Sequence, residues 1–498
     1  MAPFLGIPTE LIQQILGLLL VPDLARLCRT NHFLRYHAEP CLYSTIDLNW
    51  SNCTKPPIIP LLWTLLSRPE LFALVDTFSL RGYAYRNRNI NGEDIPVPQD
   101  ELRLTIPRKI TLSPFISAIK KTKVSYTDVW VDRLKAGHME AFAGLLIAYL
   151  SNTTSLMVTT NFVEDFALVG KILQSKALQL QPFHSHSQAL QQGAFPSQMP
   201  NFTQLQRLAY VRRMDQDQQD HNEPFRESMS TLYLPNLVDV KLWIPNPSMF
   251  QWPEGEPNLD HLTSLDIEWL DPRLLVEILS LTRNLRSFTY SWDYIDAILN
   301  DDWKVPYLDL DEIVTAISPV KDTLEKLHIH FRVGFGLRDT WPQMSISGSF
   351  NKLVEFDRIR ELNVPFAALS GFGPDFTPLD RGLPPSVEAL SLTVDMMEDE
   401  AFIWNRARPD MTCWGKDMNA WAGRIRPWEP EYTFQSLVLL LAHACPAKFP
   451  RLRQILWLNR VADSEYDRFK REAERLSPLL GVDIKLLKHC IDPGYAAA

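Results

Sequence analysis

The chain has 498 residues, 46% hydrophobic, 22% charged and 11% aromatic, a composition that excludes collagen-like and intrinsically disordered classes and leaves ample length for a buried core. A net charge of −9 gives no broad attraction to phosphate backbones or anionic lipid, so neither nucleic acid nor a membrane is expected as a partner. The six cysteines (Cys28, Cys41, Cys53, Cys413, Cys445, Cys490) show no CxxC spacing and no stretch approaches the ~18 uncharged apolar residues of a membrane span, so a reducing compartment, cytoplasmic and/or nuclear, is expected.

The first predicted elements are short helices. In IPTELIQQILGLLLVPDLARLCRTN (7–31), Thr9 is expected to cap a helix running to about Leu20, with Glu10 in its first turn. Leu11, Ile15 and Leu18, joined by Ile12, Leu16 and Leu19, make an apolar band too wide for one small contact. Pro22 and Asp23 start a second helix carrying Leu24, Leu27 and Cys28, and Asn31 starts a third with Phe33, Leu34 and Tyr36. A unit of about 40 residues cannot bury all of this by itself. Leaving four such side chains wet forgoes roughly 6–12 kcal/mol, so a partner surface or the following domain must cover them. At AEPCLYSTIDLNW (38–50) the helical period gives way to alternation, which predicts a first strand and a domain boundary near residue 48.

Beyond it one pattern recurs: aliphatic, two variable positions, aliphatic, one variable, apolar. The copies are VDTFSL (75–80), TTSLMV (153–158), LQRLAY (205–210), LVDVKL (237–242), LTSLDI (262–267), LRSFTY (285–290), LEKLHI (324–329), IRELNV (359–364), VEALSL (387–392) and LRQILW (452–457). Helix-like segments precede several of them: MEAFAGLLIAYL, PRLLVEILSLT, LDEIVTAIS and FQSLVLLLAHAC. The unit is therefore helix then short strand, an α/β class in which positions one, four and six turn inward and three, five and seven face the other way. The outward set is mostly polar, with Asp239 and Lys241, Ser264, Asp266 and Glu268, Ser287, Thr289 and Ser291, Lys326, His328 and His330, Glu361 and Asn363. Stacked in parallel with helices behind, such strands leave one polar concave sheet.

Polar or biased tracts interrupt the repeats near 86–110, 174–204, 212–230, 334–349 and 404–432 and read as long loops. The last holds Trp404, Trp414, Trp421 and Trp428 among Arg406, Arg408, Arg424 and Arg426, residue types that either form a recognition hot spot or pack and solvate the insertion. His328 and His330 share one strand face beside Lys326, placed to bind an acidic substrate, to respond to pH, or simply to be solvated. His184 and His186 lack a third ligand nearby, and no nucleophile elbow, phosphate loop or zinc-protease motif occurs, so no catalytic residue, metal or cofactor is expected.

Ile7-Pro8-x-Glu10-Leu11, then Ile15-Leu16, then Pro22-Asp23-Leu24 and Leu27, with a third helix ending in Glu39-Pro40-x-Leu42-Tyr43, resembles an F-box over residues 5 to about 45. Phe33 and Leu34 stand where the family often has a tryptophan. The recurring strands look like leucine-rich repeats, although the starts at 237, 262, 285, 324, 359 and 387 are unevenly spaced and the ninth-position asparagine appears only as Asn161. The resemblance implies an N-terminal three-helix F-box (1–48) followed by an irregular leucine-rich-repeat-like solenoid (49–498). It implies a non-enzymatic substrate receptor of an SCF-type cullin-RING ubiquitin ligase, or else an F-box scaffold acting outside ubiquitylation. Pro8, Leu11, Ile12, Ile15, Leu16 and Leu24 would meet a Skp-type adaptor, and through it a cullin. An unknown protein substrate would lie on Lys241, Asp266, Glu268, Thr289, His328, His330, Asn363, Trp414 and Trp421.

Overall fold

The computed structural model describes residues 7–50, 55–82, 103–159, 168–179, 198–211, 221–295, 307–334, 345–370, 379–393, 447–459 and 463–488, with short pieces at 86–88, 94–96, 395, 403–404, 412–413, 437–438 and 440. The fold is mixed α/β, built on twelve parallel strands with helices between them. The chain divides into two compact units, one made mainly of residues 1–215 and 226–237, the other mainly of 238–251 and 255–498.

The first unit begins with three helices, α1 (Thr9–Gly17), α2 (Val21–Leu27) and α3 (His32–Ser44). Thr9 is the first helical residue rather than the cap: Pro8, in extended backbone, stands outside, and its carbonyl accepts from the amides of Leu11 and Ile12. Helix α1 also stops at Gly17, short of Leu20, because the chain must turn before Pro22, which sits in the first turn of α2 where a missing N–H costs nothing. Asn31 caps α3 as anticipated, its side-chain oxygen accepting from the Leu34 amide at 2.8 Å. Helix α3 continues through Pro40 and passes without a linker into β1 (Thr45–Trp50), the strand expected from the switch to alternation. Arg68 clamps this junction, donating to both carboxylate oxygens of Glu39 at 2.5 and 3.0 Å.

Strands β2 (Thr77–Gly82), β3 (Ser155–Val158) and β4 (Arg207–Tyr210) follow β1 in parallel, with Thr45, Thr77, Ser155 and Arg207 in register. Between them lie α4 (Ile58–Ser67), α5 (Ser113–Thr122), α6 (Thr127–Lys135), α7 (Met139–Tyr149) and α8 (Leu168–Leu178). Helix α7 is the segment expected before the second repeat, and it is buried all round from Met139 to Ala148. The helices cover the apolar strand face directly: a Cβ on Gly170 of α8 would lie 2.6 Å from the Tyr210 hydroxyl of β4. The tract read as a loop over 212–228 is helical from Asn222, where α9 spans Asn222–Thr231; residues 212–220 lie outside the described residues.

The second unit stacks β5 (Asp239–Trp243), β6 (Ser264–Glu268), β7 (Ser287–Ile295), β8 (Lys326–Gly334), β9 (Glu361–Pro365), β10 (Ala389–Thr393), β11 (Gln454–Asn459) and β12 (Asp483–Lys488). All are parallel and neighbours in that order. Helices α10 (Leu275–Leu279), α11 (Leu310–Ile317), α12 (Phe366–Ser370), α13 (Leu379–Gly382) and α14 (Asp463–Leu480) fall between the strands. All ten motif copies become strands, each starting at motif position three. Every first-position residue is buried, as are all residues at positions four and six. Parallel register then lines equivalent positions up: Ser264, Ser287, Lys326, Glu361, Ala389, Gln454 and Asp483 form one row. Thr153, the one polar first position, is satisfied by donating to the Val75 carbonyl at 3.0 Å.

The insertion near 86–110 contains a short antiparallel pair, Arg86–Arg88 with Asp94–Pro96, and that near 404–432 another, Ile403–Trp404 with Thr412–Cys413. The segments around His184 and His186, Asn161, and most of FQSLVLLLAHAC lie outside the described residues.

Candidate functional site

Two surfaces carry the residues singled out by sequence. On the N-terminal helices, period 3.6 splits α1 into two stripes. Ile12 and Leu16 turn inward and form a core with Leu24, Cys28 and Ala38, lined by Leu19, Leu27, Phe33 and Leu42. These three predicted contact residues (Ile12, Leu16 and Leu24) are thus interior, because the three helices need one stripe of α1 to close on each other. Leu11 and Ile15, one position away, point outward with 48% and 41% of their surface exposed, and the same ridge continues in Leu18 at 86% and Leu20 at 73%. Pro8 is exposed at its start and Val21 at its end. The sequence placed Leu18 in the apolar band but gave no reason to favour it, or Leu20 and Val21, as contacts. A count of which stripe the small core could accommodate would have done so.

The second surface is the polar side of the second unit's sheet. Alternation along β5 to β9 puts Lys241, Asp266, Thr289, His328 and Asn363 in one row, with Glu268 and His330 two residues further along their strands. Lys241 Nζ lies between two carboxylates, 3.0 Å from Asp266 Oδ2 and 2.9 Å from Glu268 Oε1. Burial alone would lower the Lys241 pKa, but the attraction of Asp266 and Glu268 outweighs it and holds the ammonium above its ordinary value. For Asp266 the balance tips the other way: burial raises its pKa despite Lys241. Along the row, Glu361 bridges Lys326 at 2.7 Å and His328 Nε2 at 3.1 Å, and its carboxyl is held low chiefly by the Lys326 hydrogen bond. His328 is pushed below the usual imidazole value by burial, with Glu361 opposing, so at neutral pH it is an uncharged ring. His330 Nδ1 is 3.5 Å from Asp395, which also accepts from the Phe331 amide at 3.2 Å.

Three atoms on this side are buried without a hydrogen-bond partner: Asp266 Oδ1, Asn363 Oδ1 and Thr393 Oγ1. Asp395 and Thr393 were not singled out from sequence, although Thr393 continues the outward phase of β10 through Ser391. Trp414 and Trp421 lie outside the described residues. Among the described residues no group of three or more His, Cys, Asp or Glu could hold a metal ion, and no helix is long and apolar enough to cross a membrane. The arrangement offers ion pairs and hydrogen-bond acceptors. No protein-family model matches this sequence, and no curated protein matches it.

Proposed function

We propose that the chain is a non-catalytic substrate receptor of an SCF-type cullin-RING ubiquitin ligase, its first three helices an F-box and its stacked strands an irregular leucine-rich-repeat-like solenoid. One observation carries this reading: the apolar ridge of Leu11, Ile15, Leu18 and Leu20 stays wet while Ile12, Leu16, Leu24, Cys28 and Ala38 already complete the helical core. The ridge is not needed for the unit to fold. Full burial of an exposed leucine or isoleucine is worth about 1.5–3 kcal/mol; Leu18 and Leu20 stand to gain most of that and the half-covered Leu11 and Ile15 about half, enough together to hold a Skp-type adaptor. The receptor acts by tethering: with the adaptor on the ridge and a substrate on the polar strand face, substrate lysines are held at raised local concentration near the ubiquitin-loaded enzyme. The chain itself makes and breaks no bond.

The test is capture of a purified Skp-type adaptor by the full chain. Leu11→Asp with Ile15→Asp should abolish capture and leave far-UV circular dichroism and thermal unfolding unchanged. Continued co-purification of the folded double variant with the adaptor would remove the assignment.

A further inference from the structure

On the polar strand face, polar atoms that the chain leaves unsatisfied lie in two places. At one, the single ammonium of Lys241 answers both Asp266 and Glu268, leaving Asp266 Oδ1 buried and unpaired. At the other, Asn363 Oδ1 is buried with no donor and Thr393, only 4% exposed, has a hydroxyl with no partner. Asp395, two residues beyond Thr393 and beside His330, has no ion pair with a lysine or arginine among the described residues. Buried acceptors left unmet destabilise the fold unless something outside the chain supplies the donors. Asp266 stands three strands from Asn363, a separation of ~14 Å at the usual strand spacing. Four residues of extended polypeptide span that distance.

We propose that this face, from β6 to β10, binds an extended segment of another polypeptide through its basic side chains, an arginine or lysine on Asp266 and Glu268 and a second donor on Asn363, Thr393 and Asp395. Calling that segment a substrate rests on the receptor reading above; its binding here does not. Basic rather than acidic character follows from the charges: Lys241 and Lys326 are already engaged by Asp266, Glu268 and Glu361, so an incoming carboxylate would have to displace one of those pairings and would face Asp395. Neutral His328 adds no positive charge at pH 7.

The probe is a fluorescein-labelled decapeptide of alternating arginine and serine, titrated against the full chain by anisotropy, beside a matched peptide with glutamate for arginine. The arginine peptide should bind and weaken with salt, and the glutamate peptide should not bind. Asp266→Asn, which keeps the side chain's shape, should weaken the arginine peptide by about tenfold or more, the value of one charge-assisted hydrogen bond. Lys241→Gln should tighten it, since it frees two carboxylates, and loss of folding cannot mimic a gain. Glu277→Gln, an exposed carboxylate on α10 away from the strands, should change nothing. Equal binding by wild type, D266N and E277Q would mean attraction to a chain of net negative charge and would overturn the proposal, as would binding of both peptides or of neither. The Leu11→Asp, Ile15→Asp variant should keep peptide binding while losing the adaptor, so the two readings fail separately.

Discussion

Leu11 and Ile12 are neighbours in sequence and have opposite roles. Ile12 is 1% exposed in the three-helix core, whereas Leu11 is half wet. Ile12→Ala should therefore cost about 2–4 kcal/mol of helix-unit stability by opening a cavity, and Leu11→Asp within about 0.5 kcal/mol of nothing. Urea denaturation with α1 amide exchange as the local readout separates them; equal losses would make the ridge part of the core. His328 gives a pH signature. Its folded pKa lies below the unfolded value of ~6.5 because burial disfavours the charged ring, so below that value the unfolded chain takes up a proton the native chain refuses. This share of stability is present above ~6.5 and is lost as pH falls through the folded value. The groups around the ring are Glu361, which opposes the shift, and Lys326 and His330, which reinforce it. His328→Gln should flatten the decline in denaturation midpoint between about pH 7 and 5; an unchanged slope would show that the imidazole is not what titrates. Lys176 marks a limit of sequence reading at this scale. Nothing local distinguishes it from a surface lysine, yet it is fully buried, donates to the Leu150 and Pro200 carbonyls at 2.8 and 2.6 Å, and lies over the Phe202 ring. Its partners come from chain segments more than twenty residues away, which no window of sequence brings together.

Elements were legible where burial follows a period and illegible where it does not. The repeat announced ten strands because its apolar positions alternate and its first residue fills the turn before each strand. Strand β12 escaped because its first motif position is Gly481, at φ 69°, where a leucine would be strained. Helix α9 escaped for another reason. Its sequence NEPFRESMST is polar, but Glu227, Ser228, Ser230 and Thr231 are buried, and Ser230 and Thr231 satisfy their hydroxyls on the helix's own carbonyls of Arg226 and Ser228. Hydrophobic patterning has only Phe225 and Met229, buried four residues apart, to signal a helix whose other buried side chains are mostly polar. Helix α6 ends as the rules require. The amide of Gly137 donates to Leu134 and that of His138 to Arg133, both at 3.1 Å, with Gly137 at φ 81°. A Cβ there would also stand 2.6 Å from the Leu104 carbonyl oxygen. Gly137→Ala should cost at least 1–2 kcal/mol, roughly the left-handed penalty alone, read as a lowered denaturation midpoint with unchanged m-value; a neutral result would mean the turn after α6 repacks without cost.

At the scale of the whole molecule, the polar face was legible as a set of residues but not as a site, since sequence gives the phase of each strand and not which carboxylate finds which lysine. Register supplies that: Lys241 opposes Asp266, and Lys326 opposes Glu361, because every repeat starts its strand at the same motif position. The same stacking makes the second unit a linear array in which a strand touches only its neighbours, so damage should spread according to place. Phe288 sits mid-array, fully buried between Leu265 and Leu327 and stacked on Tyr290, whereas Ile484 lies on β12, which among the described residues has one neighbouring strand, β11. Phe288→Ala should cost about 3–5 kcal/mol and, because a break in the middle leaves two short stacks each with a raw apolar end, should raise amide exchange throughout β5 to β10. Ile484→Ala removes a similar kind of side chain, but the opening it favours is fraying of the last repeat, so faster exchange should stay within β11, α14 and β12 while β5 to β9 keep wild-type protection. Exchange measured by mass spectrometry on both variants under native conditions decides the matter. If Ile484→Ala loosened β5 to β9 as much as Phe288→Ala does, the strands would share one undivided core, and the picture of repeats stabilised by nearest neighbours would have to be given up.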